Sequence, residues 1–402
     1  MALSLTAFST RRFAVLGGLA LLVVLSIAIA GRTPQAAGAL RVPTDPAEVL
    51  ETVIAGNDAR TRHLAELRRA LAADPKDLRA ALLLARTDIQ LAREHADPRF
   101  LGQAQAALAP WWTEDAPPPV LVLRATIEQS LHDFDSALRH LDAALKAAPD
   151  DPQAWLTRAI VLTVGARYDE ARLSCGHVAP LAGDLAFAVC ETQIDSLTGR
   201  SAAAYARLTA ALDEGRSNDE REWAISSLGE YAVRYGDQKT AEEHFREALK
   251  LAPDDAYVRG ALADLLLDMG HNAEVLTLLA GKESDDGMLL RLALAERRVN
   301  GPKGEEHREM LKARFEASHA RGDVVHRREE ARYRLYLEDD ARGACDLAKA
   351  NWKVQKEPWD ARILLATAVA AHDREAAAPV LAHLATWHLE DPTIANLAAG
   401  FK

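Results

Sequence analysis

Residues 136–151 read SALRHLDAALKAAPDD, and residues 240–255, 104 positions further on, read TAEEHFREALKLAPDD. Both carry a small residue at the second place (Ala137, Ala241), an Ala-Leu-Lys triplet ending at Lys146 and Lys250, and a closing Ala-Pro-Asp-Asp. The separation is close to three periods of about 34 residues, the mark of one supersecondary unit stacked many times. A stacked unit buries its apolar face only against its neighbours and leaves a long curved surface.

Working outward, one unit spans residues 118–151 and the next 152–183; others cover 184–216, 222–255 and 256–282. Each opens with a helix A, turns within two or three residues, and closes with a helix B. Apolar residues fall at spacings of three and four, and Pro, Gly and Asp mark the joints. Ala137, Ala171, Ala204 and Ala241 repeat 34, 33 and 37 residues apart in the first turn of helix B. Ala125, Ala159, Gly229 and Ala263 recur in helix A, 34, 70 and 34 residues apart, where two helices must approach closely. The pattern is helical from about Thr44 onward.

Of the 402 residues 49% are apolar and only 5% aromatic, the composition of close-packed helices. There are 48 Lys and Arg against 59 Asp and Glu, a net charge of -11. An acidic chain without a basic stripe is a poor partner for nucleic acid.

The first thirty residues differ in kind. Arg11-Arg12 precede an uncharged apolar run, 18 residues from Phe13 to Ala30, that ends in Ala28-Ile29-Ala30-Gly31. A basic start, an apolar middle and an A-x-A ending describe a secretory signal, and the run is also just long enough for a tilted membrane helix. Residues 1–30 are therefore expected to be a signal peptide or an anchor in the inner membrane. In either case the remaining chain lies outside the cytoplasm. Losing Arg11 and Arg12 leaves the exported part at -13. Residues 31–43 read as a linker, 44–283 as regular repeats, and 284–402 as degenerate and C-terminal repeats. A long A–B turn is expected at 94–102 in the irregular unit 78–115.

These units resemble the tetratricopeptide repeat family. Trp155, Ala159, Tyr168 and Ala171 match its pattern in one unit; Leu228, Gly229, Ala241, Phe245, Ala248 and Pro253 match it in another. The resemblance implies an all-α, right-handed α-solenoid of about ten antiparallel helix pairs, without β-sheet. It also implies a concave wall lined by helix A side chains, a surface for a protein or peptide. On that projection Gln129, Thr163, Asp195, Glu230, Arg234 and Asp264 face the partner, and the acid in the middle units favours a basic or polar extended segment. The Lys/Asn/Arg set with which one subfamily grips chaperone C-termini is absent.

In that architecture Cys175, on a helix B, and Cys190, on the next helix A, point inward on helices that touch. An oxidising compartment would link them, closing a loop worth on the order of 3 kcal/mol. Cys345 is left as a buried thiol. No zinc spacing, Walker loop, nucleophile elbow or H-E-x-x-H occurs, so no metal or cofactor is expected. His372, His383 and His388 read as solvated. Trp111-Trp112 read as packing between units. The function expected is a non-catalytic scaffold of the cell envelope; the alternatives are an envelope enzyme acting on a glycan, or a structural subunit of an envelope complex.

Overall fold

The computed structural model describes residues 59–401 apart from 114, 214 and 324. The chain divides into two units, 1–55 and 56–402, and the described residues fall in the second. The apolar run and the linker lie outside them.

Twenty α-helices and no strand occur among the described residues. In order they are α1 (Ala59–Ala73), α2 (Leu78–His95), α3 (Arg99–Leu108), α4 (Pro118–Ser130), α5 (Phe134–Ala147), α6 (Pro152–Val164) and α7 (Tyr168–Ala182). Next come α8 (Asp184–Leu197), α9 (Ser201–Ala211), α10 (Asn218–Tyr235), α11 (Gln238–Leu251), α12 (Ala256–Asp268), α13 (Asn272–Leu278) and α14 (Asp286–Val299). The array ends with α15 (Gly304–Arg321), α16 (Arg327–Leu337), α17 (Ala341–Trp352), α18 (Pro358–Ala370), α19 (Arg374–Trp387) and α20 (Pro392–Ala399). Even-numbered helices from α2 to α18 take the A role and each packs on the B helix that follows it. This is the all-α solenoid the repeats imply.

The joints work by capping. Asp77, Asp133, Asp151, Asp237, Asp255, Asp285, Asp340, Asp373 and Asp391 each precede a helix and accept a hydrogen bond from its first-turn backbone N–H. Each such cap is worth about 1 kcal/mol. The second Asp of both Pro-Asp-Asp endings, Asp151 and Asp255, is therefore the start signal of the next helix A. The A–B turn contains a left-handed residue, glycine at Gly199, Gly236 and Gly270. His132, Ala166, Asn300, Asp339 and His372 hold the same conformation in other units at a steric cost.

The irregular unit departs from expectation. Helix α2 runs on through His95 and the turn is only residues 96–98, so 94–102 is not a long turn. Glu94 stays helical and takes a hydrogen bond from Arg60 of α1 at 2.6 Å, an extra tie between these two helices.

The core is a chain of clusters rather than one centre: residues 81–161, 159–197, 185–231 and 225–337 hand over to one another, and a further cluster draws on 331–401. The repeated small residues sit at the tightest approaches. A Cβ placed on Gly229 would lie 2.6 Å from the Phe245 ring, well inside contact. Gly229→Ala should therefore destabilise the array by about 1–3 kcal/mol through overpacking. Thermal melts should show this cost shrinking in a Phe245→Leu background; an equal cost in both would rule out the ring as its source.

Candidate functional site

The helix A face expected to bind a partner is in large part closed on the chain itself. Gln129 and Thr163 are half-buried, and the Thr163 hydroxyl donates to the Ala159 carbonyl at 2.8 Å. Asp195 is 5% exposed and takes bonds from Arg200 at 2.5 Å and Arg207 at 2.8 Å, with Arg172 at 2.8 Å. Arg234 is 4% exposed; it donates to Ser196 Oγ at 2.6 Å and to Glu230 at 2.9 Å. Asp264 is 3% exposed and lies between Arg291 at 2.5 Å and Arg332 at 2.7 Å. Burial alone would raise the Asp264 carboxyl, but the charges of Arg291 and Arg332 outweigh it and hold it at about 2. Of the six residues, Asp195, Arg234 and Asp264 are thus internal, while Gln129, Thr163 and Glu230 keep some access.

Tyr257 joins them. Its hydroxyl donates to Glu230 at 2.7 Å, and the residue is 64% exposed. The phenol is pushed well above its usual range by desolvation and by the Glu230 charge. Glu230 and Tyr257 thus form a small polar patch with access to solvent.

The C-terminal part of the array packs along the A–B turns of the middle units. The Lys356 N–H, between α17 and α18, bonds to the Val164 carbonyl at the end of α6 at 2.8 Å. The Ser201 N–H at the start of α9 bonds to Glu390 Oε2 at 2.9 Å. The Tyr168 and Trp387 rings meet edge to face at 4.8 Å. Arg362 of α18 clamps Asp268 of α12 with two bonds of 2.5 Å. The Trp359 ring lies within 4.8 Å of the Arg332 guanidinium and 4.4 Å of that of Arg362. Asp268, Arg298, Arg332, Tyr336, Trp359 and Arg362 line a cavity of about 70 Å³ at this seam. None of these arginines stood out in the sequence, because their partners lie up to 94 residues away.

Cys175 and Cys190 are joined by a disulfide, with Cα atoms 5.7 Å apart, across α7 and α8. Cys345 is buried, and burial pushes its thiol up. Trp111 and Trp112 are half-buried against the first cluster, and the Arg124 guanidinium lies 4.6 Å from the Trp112 ring. His372 and His388 are not buried, but His383 is: at 8% exposure it packs against Tyr168 and Trp352, and its Nε2 has no hydrogen-bond partner. The expectation of a solvated His383 is corrected by the seam that covers it. Among the described residues no group of three His, Cys, Asp or Glu could hold a metal, and no helix is long and apolar enough to cross a membrane. Asp360, raised to about 7 by burial against the pull of Arg328, is 0% exposed and held by Asn351, so no substrate could reach it.

A tetratricopeptide-repeat family model matches residues 118–161. Over those residues the chain carries a tetratricopeptide repeat, set in an all-α array of twenty helices among the described residues. No curated protein matches it significantly. Similar solved structures include TTC0263, a thermophilic TPR protein of Thermus thermophilus, at 18% identity over 47% of this chain and 98% of that one, TM-score 0.38. Yeast Tom70 is 13% identical over 85% of both chains, TM-score 0.40. A human IFIT1 dimer with PPP-AAAA is 11% identical over 81% of this chain and 88% of that one, TM-score 0.41.

Burial holds the His383 imidazole down at about 4, aided by the Lys356 charge, against about 6.5 in an unfolded chain. The unfolded chain therefore binds more protons between those values, and this contribution to stability is lost as pH falls from about 6.5 to 4. Between pH 7 and 5 the melting temperature of His383→Leu should fall less than that of the parent chain. Equal falls would clear His383 of the effect.

Proposed function

We propose that the protein is a non-catalytic scaffold of the cell envelope that holds a protein or peptide on the inner face of its helical array. Repeat proteins of this class act through surface, and the observation that carries the reading here is the polar patch at Glu230 and Tyr257, with Gln129 and Thr163 on other A helices. The buried acids do not contribute to it directly; Asp195, Arg234 and Asp264 hold the wall in shape. An enzyme reading gains no support from the geometry.

The envelope assignment is supported by the basic and apolar segment of residues 1–30 and by the disulfide, which suits an oxidising compartment. A periplasm-active reporter joined after residue 45 should be active, and peptide mapping without reductant should recover Cys175 bonded to Cys190. An inactive reporter, or two freely alkylated cysteines, would remove the assignment.

The scaffold reading is tested by capture from envelope extract with the full chain. Glu230→Lys combined with Tyr257→Ala should reduce recovery of a specific partner at least tenfold while leaving the helical circular dichroism unchanged. Undiminished recovery would move the binding surface elsewhere. Turnover of a glycan, lost on changing one carboxylate, would replace the scaffold by an enzyme.

A further inference from the structure

In a solenoid each repeat needs only its two neighbours. The contacts between α16–α20 and the ends of α6, α8, α10 and α12 are of another kind, because they join units far apart in the stack. They follow one line: Val164 and Tyr168 after α6, Ser201 after α8, Gly236 after α10, and Asp268 closing α12. All are at A–B turns, so the C-terminal units lie along one edge of the middle units. They also bring their own core, since the last cluster contains no residue before Ala331.

The seam is held by polar bonds and by ring contacts, with Trp387 and Leu389 packed on the cluster of Tyr168. Arg362 and Asp268 keep 21% and 20% side-chain exposure, and Glu390 is exposed. Small rotations shared among many repeats can part such an edge without breaking any neighbour contact. Parting it would bare the Asp268 carboxylate, the Val164 carbonyl, the Tyr168 ring and the Ser201 N–H.

We propose that this seam is a latch, and that the edge beneath it is a docking surface for a partner segment bearing arginine beside an aromatic side chain. The chain's own Lys356–Arg362 segment shows the chemistry: a backbone N–H to Val164, the Trp359 ring beside the Arg362 guanidinium in the cavity that Leu267 and Asp268 line, and the Arg362 fork on Asp268. A competing segment must match that fork and ring, since a bidentate arginine is geometrically demanding. This inference rests on the scaffold reading for its purpose, but the latch is measurable without any partner.

Hydrogen exchange on the full chain reads it directly. In Arg362→Glu, segments holding the Lys356 and Ser201 amides should exchange at least tenfold faster, while α11, around Phe245, stays unchanged. Restoring the pair in reverse, with Asp268→Arg and Arg362→Glu together, should restore protection. Glu390→Ala is the milder second variant, and should loosen the Ser201 segment alone. Unchanged exchange in both single variants, or loosening of α11 to the same degree, overturns the latch.

The partner class is tested with a labelled synthetic peptide copying residues 355–366, QKEPWDARILLA. It should bind the Arg362→Glu chain at least tenfold more tightly than the parent chain, and should fail when its own arginine is replaced by glutamate. Equal binding to both chains overturns a covered surface. An opened seam that ignores the peptide overturns the partner class, while the scaffold reading is still judged by capture from envelope extract.

Discussion

The array depends on how closely one helix can approach the next. Ala137, Ala171, Ala204 and Ala241 are all fully buried, one in each of four successive B helices. Their small side chains let α5, α7, α9 and α11 sit against the preceding A helix with large residues such as Phe245 filling the gaps on either side. A larger side chain at any of them meets a packed neighbour rather than solvent, and close-packed interiors do not absorb even one added methylene cheaply. Everything else, from the aspartate caps to the polar inner wall, is hung on that spacing.

Inside this frame the charges are settled in groups. Asp195 collects three arginines and Asp264 two, so neither carboxylate is left to water or to a partner. Removing charges from water is costly, and only several well-placed partners offset the cost. Such clusters favour one arrangement of helices over near alternatives, since any shift strands a charge. These two clusters set five arginines on two acids, so the net charge of -11 is carried by the remaining side chains.

Much of the frame was legible in the residues. The period located the helix pairs, the recurrent alanines located the close approaches, and Asp151 and Asp255 behave as helix starts. Cys175 and Cys190 stand on touching helices as the repeat geometry requires. What escaped was the pairing of the inward charges, Asp195 and Arg234 among them, and every contact between distant units. The longer α2 carries a tie between Glu94 and Arg60, 34 residues apart. The burial of Asp264 and His383 follows from units that meet after several repeats have each added a small rotation. Periodicity describes one repeat and its neighbour; it carries no measure of where the sum of those rotations leads.

That sum has a consequence for how the molecule comes apart. An open solenoid behaves as a one-dimensional chain whose end repeats fray first, because each has a neighbour on one side only. Here the terminal helices are fastened to the middle: Glu390 to Ser201, and Trp387 to Tyr168. The C-terminal end is then no longer a free end in the energetic sense, and the linear chain of couplings becomes a loop. Unfolding gains a cooperativity that nearest-neighbour terms do not contain, and the strand of repeats must be unfastened before it can be unzipped.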